Sequence, residues 1–411
     1  MEEFSYEEVE AATGGFAAKN LVGKGSHGSV YRARIRGGGG GRSWVVVAVK
    51  RPSHAQGEAK LANEIAVLTA APRHPGVVGI VGVARLAAAP PTAEEEAVGA
   101  KRVPPPAPAK LRPPLLVMEY MPKGSLHDLL HRSPRPPPWP RRLEIALDVA
   151  RAVRALHAAA PRVIHRDVKS ANILLGRDGR ARLSDFGLAV KVAAPDPAGE
   201  GARRSEEDDG AAGPVPAGTI GYLDPCYTEP GHLGPESDVF SFGVVLLELI
   251  SGRKVMDVNC SPSSIVAWAA PLIAAGRARE VFDGRVAAPP TMRAEIAVAR
   301  VLAVAARCVS ESVERRPAMA EVVAELHGAL ESAGWRQRHG RGYAHSVVKR
   351  VCRRVVSWGE HVRRSKRVRA TKVECTENSE CIGALHHEDP YSLTLRLNNI
   401  SDRSNKLTDP K

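Results

Sequence analysis

Four polar side chains gather in one short stretch, HRDVKSANILLGRDGRARLSDFGL: Asp167, Lys169, Asn172 and Asp185. A carboxylate, an ammonium, an amide and a second carboxylate suit the handling of metal-bound phosphate. Hard oxygen donors take a divalent cation, an ammonium meets a phosphate oxygen, and a carboxylate orients a hydroxyl. Any one of these residues alone reads as a solvated loop position, and only the set points to chemistry. Positioning them calls for rigid elements, and the local pattern supplies some. Val163 and Ile164 read as a short strand, and Ile173–Leu175 and Ala181–Leu183 as the arms of a hairpin. Asp178-Gly179 between the arms has the chemistry of a tight primed turn.

Upstream, LVGKGSHGSVYRARI (Leu21–Ile35) reads as strand, Gly-rich turn, strand. Gly23, Gly25 and Gly28 form GxGxxG, a weak signal alone because dinucleotide-binding turns share it. Here a strand-like segment beginning near Val30 follows, which favours a β-hairpin lid over phosphates. Glycines in such a lid let backbone amides approach phosphate oxygens without an intervening Cβ. WVVVAVK then ends an apolar strand on Lys50. Glu58–Thr69 is helical by periodicity, with Leu61, Ile65 and Leu68 on one face. Glu64 lies next to that stripe as the candidate partner of Lys50, with Glu58 as its competitor. Val77–Leu86 and Leu115–Met121 read as strands flanking a Pro-rich insertion. Arg142–Ala160 is a helix whose charges (Glu144, Asp148, Arg151, Arg154) form one narrow stripe, so the rest must be buried. Ser237–Ser251 reads as a core helix and Ala318–Leu330 as the last helix of the domain.

HRDxKxxN followed thirteen residues later by DFG resembles the catalytic and metal-binding loops of protein kinases. GTIGYLDP, FSYEEVEAATGGF and HRDVKSANILL together resemble the plant receptor-like kinase family over about residues 4–330, in its receptor-like cytoplasmic form. The resemblance implies an α+β, two-lobed protein-kinase fold with a small β-rich N-lobe and a larger helical C-lobe. It implies γ-phosphoryl transfer from ATP to protein Ser/Thr hydroxyls with Mg²⁺, or Mn²⁺ in its place. Leu21, Gly23, Lys24, Gly25, Gly28, Val30, Ala48, Lys50, Glu64, Glu119 and Met121 would then form the nucleotide site, with Met118 at its back. Asp167 would accept the substrate proton, Lys169 would steady the γ-phosphate in the manner of serine/threonine kinases, and Asn172 and Asp185 would hold the metal. Phe186, His165 and Leu68 would stack between the lobes, and Asp238 would fix the catalytic loop. Arg166, Ser205 and Thr219 would be regulatory, with Arg166 meeting a phosphate or an acidic side chain of the segment from Asp185 to about Tyr227. One departure stands out. Cys226 occupies the position of a family glutamate that pairs with an arginine, here Arg316, so Arg316 must find another acceptor. The rival class is a non-catalytic scaffold, or an adaptor working through a basic tail.

The chain has 411 residues, 44% of them hydrophobic and only 4% aromatic, so its core must be aliphatic. The expected organisation is a lead-in over 1–16, a kinase domain over 17–332 and a basic, disordered tail over 333–411. Disordered insertions are expected near 87–114 and 192–217. Between Arg336 and Lys372, thirteen Lys/Arg face one acid, Glu360, which accounts for nearly all of the +13 net charge. Such a tail fits an anionic membrane surface or calmodulin-type capture, and nucleic acid least, for want of interleaved aromatics. The acidic N-terminus, the absence of an apolar run of spanning length and the scattered cysteines point to a cytoplasmic protein, with the plasma-membrane surface as a peripheral site. Protein substrates and an upstream receptor kinase are the expected partners.

Overall fold

The computed structural model describes residues 1–25, 27–36, 44–71, 73–85, 112–192, 216–227 and 233–335. Met1–Arg338 form one compact unit, and residues from 336 onward lie outside the described residues. Ser205, most of both expected insertions and the basic tail therefore also lie outside them.

The first lobe is built on β-branched and aromatic runs that suit a half-buried pleated surface. Its elements are β1 (Glu2–Ser5), α1 (Tyr6–Ala12), β2 (Leu21–Lys24), β3 (Gly28–Arg36), β4 (Trp44–Pro52), α2 (Ala55–Ala70), β5 (Ile80–Arg85) and β6 (Leu115–Glu119). The six strands order as β1-β5-β6-β4-β3-β2. β2, β3, β4, β6 and β5 pair antiparallel along that order, whereas β1 joins β5 in parallel. The amphipathic lead-in is thus part of the lobe. Ser5 caps α1, its hydroxyl accepting from the Glu8 amide at 3.0 Å. Tyr6, Val9 and Phe16 are buried with Ile35, Val47, Val49 and Val117. Arg112, at the edge of the expected insertion, returns to α1 through Glu10 at 3.0 Å and the Tyr6 ring.

The second lobe is mainly helical: α3 (Leu126–His131), α4 (Trp139–His157), α5 (Pro235–Ser251), α6 (Ile265–Ala274), α7 (Met292–Cys308) and α8 (Met319–Ser332). Short strands β7 (Arg162–Ile164), β8 (Ile173–Leu175), β9 (Ala181–Leu183) and β10 (Val190–Val192) lie between α4 and α5 in sequence. β8 and β9 pair over the residues predicted. The connection is longer than a two-residue turn, however. Gly176 to Arg180 all lie outside the strands, and of the pair Asp178-Gly179 only Gly179 takes a positive φ, 79°.

Helix α5 is buried at every position from Ser237 to Ser251, as its nearly uniform apolar character requires, and it stops at Gly252 in the left-handed region (φ 65°). The stripe on α4 faces water only in part: Arg154 is exposed and Glu144 and Arg151 are half-buried, but Asp148 is not. Asp148 is buried, 2.6 Å from the Arg180 guanidinium and 3.2 Å from the Ala181 amide, and so ties the helix to the β8–β9 hairpin. Arg142 is fully buried, donating to Asp283 at 2.6 Å, to the Leu249 carbonyl at 2.5 Å and to the Pro137 carbonyl at 2.7 Å. Among the described residues no helix is long and apolar enough to cross a membrane.

Candidate active site

Lys50 sits near the end of β4, opposite Val30 of β3 and Leu116 of β6, in the middle of the sheet. Its ammonium lies 2.5 Å from Glu64 and 2.9 Å from Asp185. Glu64 is buried on the inner face of α2 and accepts from the Phe186 amide at 3.2 Å, while Glu58 is exposed in the first turn and takes no part. Burial pulls the Lys50 ammonium down, but the Glu64 and Asp185 carboxylates overturn it, and Lys50 is held above its ordinary range as a cation. Burial pushes Glu64 up, opposed by Lys50. Asp185 feels burial too, but Lys50 outweighs it and keeps the carboxyl below its usual range. The three groups make one charge-paired constellation joining sheet, helix and DFG segment.

The catalytic loop is shaped by Asp238, which is fully buried in the first turn of α5. Its carboxylate accepts from the amides of His165 (2.8 Å) and Arg166 (2.9 Å) and meets His157 at 2.9 Å. Burial opposes its charge, yet the His157 bond prevails and holds the carboxyl below its usual range. This clamp supports Arg166 in the left-handed region (φ 67°), a conformation that a non-glycine residue keeps only where its surroundings enforce it. Asp185 is held likewise (φ 64°). His165 meets the Phe186 ring edge-on at 4.7 Å, and Leu68 packs on the same core. The Arg166 guanidinium donates to the Tyr227 hydroxyl at 2.7 Å and to the Leu188 carbonyl at 3.3 Å.

Asp167 accepts from the Lys169 ammonium (2.7 Å), the Asn172 amide (3.0 Å) and the Thr219 hydroxyl (2.6 Å), and Lys169 also donates to Thr219 at 2.7 Å. Thr219, expected to be regulatory, is therefore placed at the centre of the catalytic hydrogen bonds. A phosphate there would press a dianion against the Asp167 carboxylate. Asn172 turns its amide nitrogen to Asp167, which leaves its oxygen as the atom to offer a cation. That oxygen and the Asp185 carboxylate are hard donors that fit a divalent cation.

The residues expected to form the nucleotide site are placed by strand register. Ala48 faces Met118 and Val47 faces Glu119 across β4 and β6. Met118 and Met121 are buried with Leu61, Val78 and Leu116, and Leu174 of β8 packs on this cluster from the other lobe. The lid folds as expected: Gly23 pairs with Val30, Lys24 with Ser29, and the Gly25 amide donates to the Gly28 carbonyl at 2.9 Å. Leu21 stands more exposed at its edge, and Ser26 lies outside the described residues. The lid tip rests on α2, where a Cβ at Gly57 would collide with the His27 carbonyl.

Two arrangements were not read from the sequence. Glu248, an interruption in an apolar run by pattern alone, is buried and accepts from Ser170 (2.8 Å) and Tyr222 (2.6 Å), with His131 2.7 Å away. It thus joins α5 to the catalytic loop, to the turn that carries Tyr222 and to α3. Arg316 has a full counterion despite Cys226. Asp224, two residues earlier, takes its guanidinium at 2.5 and 2.8 Å, both groups buried. The Cys226 thiol donates to the Glu311 carbonyl at 3.2 Å. The acceptor that Arg316 needs is therefore a carboxylate one short step along the same turn.

A family profile described as a protein kinase domain matches residues 16–325. A serine/threonine-protein kinase-like protein of Arabidopsis thaliana is 41% identical over 345 residues, covering 80% of this chain and 88% of that protein. A second such Arabidopsis protein is 39% identical, with 81% of both chains covered. The Arabidopsis proline-rich receptor-like protein kinase PERK1 is 35% identical over 83% of this chain, which spans 47% of that protein's length.

Proposed function

We propose how catalysis is divided among the residues of this chain, which belongs to the protein kinase family and, within it, to the plant receptor-like kinases. It is a protein serine/threonine kinase, using ATP and a divalent metal and acting on protein substrates. In the proposed division Lys50, steadied by Glu64, binds the α- and β-phosphates beneath the lid of Gly23, Gly25 and Gly28. Leu21, Val30, Ala48 and the backbone of Glu119–Met121 hold the base. Asp185 and the Asn172 oxygen would hold Mg²⁺, which when bound neutralises charge on the transferring phosphoryl group. Asp167 orients the incoming Ser/Thr hydroxyl and takes its proton, and Lys169 stabilises the γ-phosphoryl oxygens.

The observation that carries this reading is the Asp167–Thr219–Lys169 geometry. A threonine hydroxyl already lies 2.6 Å from the carboxylate and 2.7 Å from the ammonium, so this pair is disposed to hold and orient a hydroxyl. Transfer of label from γ-labelled Mg-ATP to a generic basic protein tests the assignment. Wild type should label it, and Asp185→Ala should fall at least about a hundredfold. Equal rates would remove Asp185 from the metal role. The scaffold reading is not favoured, because Lys50, Asp167, Asn172 and Asp185 are all present and mutually arranged. For the stretch Arg336–Lys372, charge favours an anionic membrane surface next to which an upstream receptor kinase would act. Co-sedimentation with phosphatidylserine vesicles, lost in high salt, is the expected result.

A further inference from the structure

Asn63 stands one residue before Glu64 on α2 and has no part in the chemistry described so far. Its side-chain nitrogen lies 2.9 Å from the Ala189 carbonyl, 3.2 Å from the Gly187 carbonyl and 3.3 Å from the Phe186 carbonyl. Only the NH₂ end of the amide can face three carbonyls, so chemistry settles its orientation. Glu64 contacts the same segment with opposite polarity, accepting from the Phe186 amide at 3.2 Å. Two consecutive helix residues thus hold both the donor and the acceptor side of one short backbone stretch. Gly187 lies flush against the helix, where an added Cβ would sit 3.2 Å from the Lys60 Cβ and 3.4 Å from the Lys60 carbonyl. The stretch itself is a tight turn, with the Ala189 amide donating to the Phe186 carbonyl at 3.1 Å.

From this we infer that Asn63 is a positioning residue that locks the Asp185–Phe186–Gly187 segment with Asp185 turned toward Lys50 and Phe186 buried against His165. The inference rests on the kinase assignment of Asp185. In the observed state three carbonyl dipoles converge on one donor. Exchanging Asp185 and Phe186 would rotate the peptide units on either side of Phe186, which takes the Phe186 carbonyl from that donor and breaks the turn, closed by the Ala189 amide on the Phe186 carbonyl, that brings in the Gly187 and Ala189 carbonyls. Asn63 therefore interacts with one state and not the other, which is what a residue needs to bias a two-state equilibrium. An alanine removes the donor. An aspartate points negative charge at the negative ends of three carbonyls and biases the segment further.

The test uses the full-length protein and compares two probes by calorimetry. One is a kinase inhibitor of the class that needs Phe186 displaced from its pocket. The other is an ATP-competitive inhibitor that binds either arrangement. Asn63→Ala should tighten the first relative to the second by roughly tenfold, about the equivalent of one net hydrogen bond. Asn63→Asp should do so by more, and Asn63→Ser, which keeps a donor, by less. Mg-ADP should bind both Ala and Asp variants more weakly, since Asp185 is then less often in place. Because Asn63 is a half-buried helix position, Ala there is compatible with α2, and a melting curve for each variant verifies folding. A ratio of the two inhibitors unchanged in both the Ala and Asp variants overturns the inference. Failure of the wild type to transfer phosphoryl groups would instead count against the catalytic assignment, since the inhibitor ratio is read without turnover.

Discussion

Asp224→Asn removes the negative charge opposite Arg316 while keeping the side chain's shape. The wild-type pair is bidentate, and the two side chains are 0% and 3% exposed, so water cannot replace the lost carboxylate. The remaining bonds of Arg316, to the carbonyls of Ser310 (2.9 Å) and Glu236 (3.2 Å), satisfy donors but do not neutralise a cation. Leaving a buried charge without its partner costs about 3–5 kcal/mol. At about 2 °C per kcal/mol for a domain of this size, the melting temperature should fall by about 6–10 °C. Cys226→Glu alone should change it little, because Arg316 is already paired. Combined with Asp224→Asn, Cys226→Glu should recover most of the loss, its carboxylate entering where the Cys226 thiol now lies 3.5 Å from the guanidinium. Differential scanning fluorimetry on the four proteins measures all three values. A shift under about 2 °C for Asp224→Asn, or a double variant no better than the single, would refute the reasoning.

Thr219→Ala should lower the rate of phosphoryl transfer by about tenfold without destabilising the fold, since the hydroxyl bridges Asp167 and Lys169; steady-state kinetics and a melting curve check it. The Asp238 carboxyl is held below its usual range, so its stabilisation is complete above about pH 4 and fades only as pH falls through the lower folded value. The stability gap between wild type and Asp238→Asn should therefore be open at about pH 5 and narrow below about pH 4, as denaturant titrations would show. Burial pushes the Cys308 thiol up to about 12, so iodoacetamide at mild alkaline pH should leave it unmodified in the folded protein and label it after unfolding. Mass spectrometry of the two digests reads the difference.

The β8–β9 strand bounds, the Gly-rich lid and the Lys50 strand were legible because each combines a short period with turn residues at its ends. The Glu64 assignment followed from one helical stripe. Charges with distant partners were not legible. Arg142 pairs with Asp283, and Glu248 with Ser170 and Tyr222, across separations that periodicity does not see. In α4 the same blindness turned a buried Asp148 into a surface residue. The parallel pairing of β1 with β5 is equally non-local, since nothing in Glu2–Ser5 names Gly82–Arg85 as its partner. Asp224 was within reach of sequence reasoning. It stands two residues from Cys226, and a carboxylate that close to a missing one is a candidate replacement.

Lys50, Asp167, Asn172 and Asp185 are proposed to form one working phosphoryl-transfer site. Phosphoamino-acid analysis of a protein substrate after incubation with γ-labelled Mg-ATP tests it most directly, with Asp167→Asn run beside the wild type. Phosphoserine and phosphothreonine are expected from the wild type, and at least about a hundredfold less from the variant, at equal folded concentration. Label at the same level from both proteins, or none from the wild type, would contradict it.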